Sequence, residues 1–423
     1  MGKSIYIDKH YHRNIFKFVI MAKSVKIYYE KYGCSLNQAE TLELVQSMLE
    51  KNNELVNSPE NADLIIIGTC IVIKHTENYM IRRINELSRL NKKILVYGCL
   101  PAVKPNLIKA KDFLYITPKS FNNEINIQNV PLIENTITIP IAQGCTGHCT
   151  YCISKLARGS IKSQGPEKIM EKFKDALKKG YKEIRLSALD TAAYGLDIKT
   201  NLAELLNYLT SVEGEYRIRV GMMEPSNTIK ILPELIDSFR SEKVFKFFHI
   251  PFQSADDKIL ESMGREYSSS DFKYIANKIK SNFDHYTFST DVIVGFPGEN
   301  EESFSKTVSM VNEIRPDILN ITRYSPREGT VAFRLKPVKS KTAKEWSLKL
   351  TEIHRLISFE RNKELQGSLK KILVTEKGKT DFLARTDGYR PVIVKNVNLN
   401  EFYIAKINSF STFYLYGEII QNV

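Results

Sequence analysis

Between Val25 and Tyr97, short runs of β-branched and other apolar residues alternate with stretches whose apolar residues recur every three or four positions. The runs Val25–Tyr29, Ala62–Ile67 and Ile94–Tyr97 read as strands. Asn37–Lys51, with Leu42, Val45, Met48 and Leu49, and His75–Leu90, with Met80, Ile84 and Leu87, read as helices. Such alternation predicts a parallel sheet with helical crossovers. Residues 100–135 carry little pattern and read as a connector. Ile137–Ala142 then opens a longer series, with strands predicted at Glu183–Leu189, Tyr216–Met222, Lys246–Phe252, Tyr286–Phe296 and Asp317–Tyr324. Helical spacing lies between them at Glu167–Lys179, Leu202–Leu209, Thr228–Ser241, Ser269–Ser281 and Glu302–Glu313. Six such units fit a partial (β/α)6 barrel, with chemistry at the carboxyl ends of the strands.

A last helix is expected at Lys341–Leu365, with an apolar stripe of Trp346, Leu350, Ile353 and Leu356. Beyond Gly367 the period shortens to two, at 371–374, 382–385, 391–394 and 402–405, which predicts a small β-barrel. The expected fold class is therefore α/β. Its domains are an N-terminal parallel α/β domain (24–130), a partial barrel (131–365) and a C-terminal β-barrel (366–423). Residues 1–23 are expected to form a disordered extension. Their apolar run imitates a signal peptide, but Lys17 interrupts it and no small-residue cleavage site follows.

Composition narrows the partners. The chain has 423 residues, 43% hydrophobic and 26% charged, as in ordinary globular proteins. Its formal charge of +13 favours a polyanion such as RNA, DNA or an acidic membrane surface. No run reaches the ~20 apolar residues of a membrane span. Basic Lys370, Lys371, Lys377, Arg385, Arg390 and Lys395, with Phe382, Tyr389 and Phe402, are candidate phosphate contacts and stacking surfaces on the C-terminal barrel. Taken singly, a solvated face or plain core is the stronger reading for each.

The six cysteines change the picture most. They are too few for a disulfide scaffold in so long a chain and suit thiolate chemistry in a reducing cytoplasm. Cys145, Cys149 and Cys152 follow the Ile137–Ala142 strand at spacings of four and three, so all three can face one centre. An iron–sulfur cube wants four thiolates, and three leave one iron open to a small molecule. The competing reading is a zinc knuckle, with His148 as fourth ligand. A second trio stands at the ends of the first three strands: Gly33-Cys34, Gly68-Thr69-Cys70 and Gly98-Cys99. Ligands gather at the carboxyl ends of parallel strands, and the glycines are expected to let the backbone approach a bulky cluster.

Cys145-x-x-x-Cys149-x-Tyr151-Cys152 matches the radical S-adenosylmethionine (SAM) signature. With Cys34, Cys70 and Cys99 before it and the β-barrel after it, residues 24–423 resemble a radical-SAM methylthiotransferase. Further matching motifs are Ala157-Arg158-Gly159, Asp190-Thr191-x-x-Tyr194-Gly195, His249-Ile250-Pro251-Phe252-Gln253-Ser254 and Met263-Gly264-Arg265. Asp291-x-x-x-Gly295-Phe296-Pro297-Gly298-Glu299 and Tyr324-Ser325-Pro326-Arg327-x-Gly329-Thr330 match as well. Tyr32 to Glu40 and Asp190 to Gly195 are most similar to the archaeal and eukaryotic branch, which modifies N6-threonylcarbamoyladenosine beside the tRNA anticodon. Ser187 to Asp190 and Gly221 to Pro225 depart from the family's text.

The resemblance implies two [4Fe–4S] clusters, one on Cys145, Cys149 and Cys152 that binds SAM, and an auxiliary one on Cys34, Cys70 and Cys99 that supplies sulfur. Reductive cleavage of SAM would yield a 5′-deoxyadenosyl radical that takes hydrogen from adenine C2, and a second SAM would give the methyl. No catalytic residue beyond the cluster ligands is expected. Tyr151, Glu224, Gln253 and Ser254 are the candidates for SAM contacts, and the C-terminal barrel corresponds to a TRAM domain. Expected partners are a tRNA anticodon stem–loop, an electron donor and a sulfur source, with no membrane, and the chain is expected to act as a monomer. The alternatives are the same chemistry on isopentenyladenosine or on a ribosomal-protein aspartate, or a non-catalytic iron–sulfur RNA-binding protein.

Overall fold

The computed structural model describes residues 24–49, 53–109, 113–120 and 136–423. The expected extension at 1–23 and the stretch 121–135 of the expected connector lie outside the described residues. The chain divides into two compact units, one of residues 1–131 with 153–159, the other of 132–152 with 160–423.

The first unit is a parallel sheet of β1 (Lys26–Lys31), β2 (Glu54–Leu55), β3 (Leu64–Thr69), β4 (Lys93–Gly98) and β5 (Leu114–Ile116), in the order β2-β1-β3-β4-β5. β3 is buried on both faces, which explains its unbroken apolar text. Helices α1 (Ser35–Leu49) and α2 (Lys74–Ser88) are the crossovers. The predicted elements are found within a few residues. The exceptions are the two-residue β2, and β5 with the helices Cys99–Val103 and Pro105–Lys109, which occupy part of the expected connector. Their segments are too short to show a period. Ala157, from the helix Ser154–Arg158, and Ile153, which precedes it, pack into this unit's core beside Met80, Ile84 and Cys99.

In the second unit six parallel strands form the partial barrel: β6 (Ile137–Pro140), β7 (Glu183–Ser187), β8 (Arg217–Val220), β9 (Phe247–His249), β10 (Thr287–Val294) and β11 (Ile318–Arg323). They pair as β8-β7-β6 and β9-β10-β11, and a parallel bridge between Ile218 and Val244 joins the two sheets. Ile184, Leu186, Ile218 and Val220 face the covering helices in one apolar core. The intervening positions therefore face the lumen. Two covering helices, Ser269–Asn282 and Glu301–Ile314, start with capping boxes. The last helix, Ser340–Lys363, buries Trp346, Leu350 and Ile357, and Trp346 stacks on Phe304 at 4.7 Å. Leu356, expected on that stripe, is 67% exposed, because the buried row continues through His354 and Ile357.

The C-terminal barrel is closed, from β12 (Leu369–Lys377), β13 (Phe382–Thr386), β14 (Pro391–Val394), β15 (Phe402–Phe410) and β16 (Leu415–Asn422), in the order β12-β13-β14-β16-β15. Sequence reading found four of these strands and left β16 as a plain terminus. The alternation there is carried by Tyr416, Glu418 and Ile420, which the structure leaves partly exposed. This barrel docks on the amino ends of the six-stranded barrel. Tyr389 Oη donates to Glu183 Oε1 at 2.6 Å, and Arg217 reaches Asp387 Oδ1 at 3.0 Å. Arg390 and Arg361 both pair with the fully buried carboxylate of Asp317. Tyr389, with a φ of +66° that a bulky residue rarely adopts, packs with Phe245, Phe247, Leu373 and Phe402.

Candidate functional site

The loop after β6 presents Cys145, Cys149 and Cys152. The Gly147 amide donates to Cys145 Sγ at 3.3 Å. A Cβ built on Gly147 would stand 3.5 Å from both Cys145 Sγ and Cys149 Sγ, so this residue is cradled between two thiols. Cys145 feels the charge of Cys149 and Cys152, and Cys149 that of Cys152. Burial pushes the Cys145 thiol up to about 11, and it raises Cys149 against the opposing Arg265 guanidinium. Thiols held this way ionise when a metal takes them, releasing protons on loading. His148 is exposed. Among the described residues no three Cys, His, Asp or Glu side chains are grouped to hold a single metal ion.

Three segments brace the loop. The Thr150 amide donates to Met263 O at 2.9 Å and its hydroxyl to Ser262 O at 2.8 Å. Ala332 N donates to Thr150 O at 2.8 Å. A Cβ on Gly264, whose φ is +70°, would stand 2.9 Å from His148 O, so the backbone of the Met263-Gly264-Arg265 motif must lie close against the loop. Asp190, past the end of β7, accepts from Ala192 N and Glu224 N through Oδ1 and from Asn227 Nδ2, at 2.8 Å, through Oδ2. Asn227 in turn reaches Thr146 Oγ1 at 3.1 Å, so the carboxylate ties two strand-end loops to the cysteine loop. Burial pushes Asp190 up to about 6 against those hydrogen bonds.

The four candidate SAM contacts fall in different situations. Tyr151 is half-buried, its ring edge-on to Phe296, and its hydroxyl accepts from Arg265 Nη2 at 2.5 Å. Glu224 spends Oε2 on capping the short helix Pro225–Thr228, while Oε1 faces Arg265 at 3.5 Å. Gln253 has a φ of +60°, and its buried Oε1 has no hydrogen-bond partner among the described residues. Ser254 is buried and accepts from Asp256 N. The orphaned Gln253 oxygen and the Gly147 cradle fit a cluster with a polar ligand bound beside it. Arg265, Asp190 and Asn227 are the residues that sequence reading did not place in the site. The first two stood inside quoted motifs, whereas Asn227 follows the altered Gly221–Pro225 text and gave no signal.

The second trio belongs to the first unit. Cys70 and Cys99 are buried and Cys34 is exposed. A Cβ on Gly33 would lie 2.8 Å from Cys70 Cβ and 3.3 Å from its Sγ, which brings two of the strand ends together. The charges of Cys34 and Cys70 both act on Cys99, whose thiol burial pushes up to about 12 against the nearby Arg158. Two of the three glycines beside these cysteines also answer to packing. At Gly68 a Cβ would collide with Thr41 Oγ1 at 2.2 Å, and at Gly98 with Asn37 Oδ1 and Thr69 O at 2.6 Å. These two are demanded by the packing of α1 and its neighbouring strand.

The candidate nucleic-acid residues divide. Tyr389, Phe402 and Arg390 are buried against the six-stranded barrel, and Lys371 pairs with Glu215, so tertiary packing engages all four. Lys377 and Lys395 are exposed.

The sequence pattern of the Radical SAM superfamily matches residues 139–311, and that of an uncharacterized protein family, UPF0004, matches 26–116. The chain is 40% identical to a probable threonylcarbamoyladenosine tRNA methylthiotransferase of Pyrococcus horikoshii, over 94% of this chain and all of the relative. It is 41% identical to one of Methanocaldococcus jannaschii over 95% and 99%, and 30% identical to one of Xenopus laevis over 87% and 72%. Among solved structures, the radical SAM methyltransferase TsrM of Kitasatospora setae shares the fold, with TM-score 0.55 at 12% identity over 74% of this chain and 77% of that one.

Proposed function

Because the chain belongs to the radical-SAM tRNA methylthiotransferase family, we propose that it converts N6-threonylcarbamoyladenosine beside the tRNA anticodon to its 2-methylthio derivative. The observation that carries this reading is the 40% identity across 94% of the chain to proteins of that name. Proteins named for dimethylallyladenosine are 30% identical over similar lengths. The enzyme uses SAM and iron–sulfur clusters.

When bound, the cofactors supply the carbon-centred radical, the sulfur and the methyl group. The chain's own residues bind and align. Cys145, Cys149 and Cys152 hold one cluster, and Cys34, Cys70 and Cys99 hold the auxiliary one. Gln253 Oε1 and Glu224 Oε1 accept hydrogen bonds from SAM, Ser254 shapes the backbone beside it, and Tyr151 with Arg265 closes the pocket wall. Asp190 and Asn227 keep the cysteine loop in register with the strand ends, the positioning on which radical chemistry depends. Exposed Lys377 and Lys395 on the C-terminal barrel contact tRNA phosphates, and an anticodon loop offers its bases already unstacked. Among the described residues no helix is long and apolar enough to cross a membrane. The enzyme works as a monomer in the cytoplasm, with an electron donor and a sulfur source as partners.

Mass spectrometry of tRNA nucleosides from a strain lacking the gene tests the reading. The 2-methylthio derivative of N6-threonylcarbamoyladenosine is expected to vanish and to return on complementation. Its persistence, or loss of the isopentenyl derivative instead, overturns the assignment.

A further inference from the structure

Arg185 and Arg219 are Cα partners on the adjacent parallel strands β7 and β8. Both alternate with residues that face the covering helices, so both side chains enter the lumen. Arg185 donates through Nε to Glu183 Oε1 at 2.7 Å, and its terminal nitrogens have no partner among the described residues. Arg219 has neither a hydrogen bond nor an ion pair among the described residues. Its guanidinium lies 4.5 Å from the ring centre of Phe247 and 5.0 Å from that of Tyr389, and its Nε is buried and unsatisfied. A third guanidinium, Arg385, stacks over Tyr389 at 4.8 Å. The acids within this group are Glu376, which Arg385 Nη2 meets at 3.4 Å, and Glu183, whose Oε1 takes both Arg185 and the Tyr389 hydroxyl and whose Oε2 has no partner among the described residues.

Cation–π contacts hold a guanidinium in place but leave its five donors unused. Withdrawing such donors from water without acceptors is costly. The arrangement is therefore a prepared, planar anion receptor, of the kind arginine forms with carboxylates. It is open from above. The next lumen-facing layer, where His249 meets Asp291 at 3.0 Å and Asn320 Nδ2 donates to the same carboxylate, is partly exposed, with His249 and Asp291 at 20% and 29%.

The chemistry of the base supplies the match. C2 and C6 flank N1 on one edge of adenine, and the bonds to H2 and to N6 diverge at an obtuse angle. A base that turns C2 up to the cysteine loop at the strand ends directs its N6 substituent obliquely down, toward the lumen wall that carries β7 and β8. The threonylcarbamoyl group ends in a carboxylate, and an isopentenyl group ends in methyls. We infer that Arg185 and Arg219 form the specificity site of this enzyme, binding the carboxylate of the threonylcarbamoyl substituent. This rests on the substrate reading given above.

The test uses the reconstituted full-length holoenzyme and two anticodon stem–loops, one with N6-threonylcarbamoyladenosine and one with its threonine carboxamide. The wild type is expected to favour the acid by about tenfold or more in kcat/KM, since an amide leaves a charged site unpaired. Arg219→Met and Arg185→Gln are each expected to bring that ratio toward one, and Arg219→Lys to keep most of it. The ratio is read within each variant, so a general loss of stability does not imitate the effect. If Arg219→Met fails to fold, Arg185→Gln carries the same readout from a partly exposed position. A wild-type ratio near one, or an unchanged ratio in both variants, overturns the inference while turnover of the acid leaves the function standing. Equal loss of affinity for both stem–loops with a shallower salt dependence assigns the cations to a backbone phosphate and likewise overturns it. If the wild type methylthiolates neither stem–loop, the substrate reading falls and takes the inference with it.

Discussion

The guanidinium of Arg158 grips the carboxylate of Glu40 with two parallel hydrogen bonds, Nη1 to Oε1 at 2.8 Å and Nη2 to Oε2 at 2.7 Å. Both side chains are wholly buried within the first unit, and Tyr97 Oη adds a third donor to the same carboxylate at 2.9 Å. Arg158 also reaches Asn37 Oδ1 at 3.2 Å. Residues of two separate motifs, 118 positions apart, thus form one network beside Cys99.

Removing one partner of such a pair strands a buried charge. Glu40→Gln and Arg158→Met are each expected to cost about 3–5 kcal/mol. Denaturant unfolding of the reduced apoprotein measures this. A loss under about 1 kcal/mol contradicts the network's structural weight.

The two cysteine trios are expected to separate by function. Cys149→Ala should abolish production of 5′-deoxyadenosine and leave iron for one cluster per chain. Cys70→Ala should permit SAM cleavage without thiolation of tRNA. Iron analysis of anaerobically reconstituted protein checks both, and about four irons per wild-type chain would refute the two-cluster assignment.

Glu299 is buried, with Oε2 accepting from the amides of Gly295 and Phe296 at 2.5 and 3.0 Å. Burial pushes its carboxyl up to about 7, above its ordinary 4.5. The folded state therefore prefers the neutral acid. Its contribution is complete below the unfolded value near 4.5 and is lost as pH rises through about 7, a swing of up to about 3 kcal/mol. Thermal unfolding from pH 5 to pH 8 should show the wild type losing stability more steeply than Glu299→Gln, whose amide stays neutral. Parallel profiles would remove this carboxyl as the cause.

Two kinds of cation on the C-terminal barrel should behave differently. Replacing exposed Lys377 and Lys395 with alanine is expected to weaken tRNA binding and reduce the log–log salt slope by about 1 to 2, with little change in stability. Arg390→Ala should instead destabilise the second unit by about 3–5 kcal/mol, because it leaves the buried Asp317 facing Arg361 alone. Filter binding over a salt series and thermal unfolding distinguish the two. An unchanged slope in the double variant argues against phosphate contact there.

Much of this was legible beforehand because repeating patterns report burial. The three strands leading into Cys34, Cys70 and Cys99 and the six strands of the partial barrel all announced themselves by apolar runs, and the cysteine loop by its spacing. What stayed hidden was pairing at a distance. The text of Tyr389, Arg390 and Phe402 reads as basic and aromatic, as an RNA surface does. Only the fold shows those side chains turned inward onto Glu183, Asp317 and Phe247. Likewise Gly68 and Gly98 stand beside cysteines, yet what excludes a side chain there is Thr41 at one and Asn37 with Thr69 at the other.

Tyr389 lies beneath Arg219 at the base of the lumen, so the module proposed to contact tRNA also sets the depth of the chamber proposed to receive the nucleotide. A graft that replaced this barrel with another nucleic-acid-binding fold would do more than change affinity. It would unseat the aromatic plate beneath Arg219 and open the chamber at its base. On the proposed function, grip and selectivity are thus inherited together, and swapping the terminal module alone would not retune one without disturbing the other.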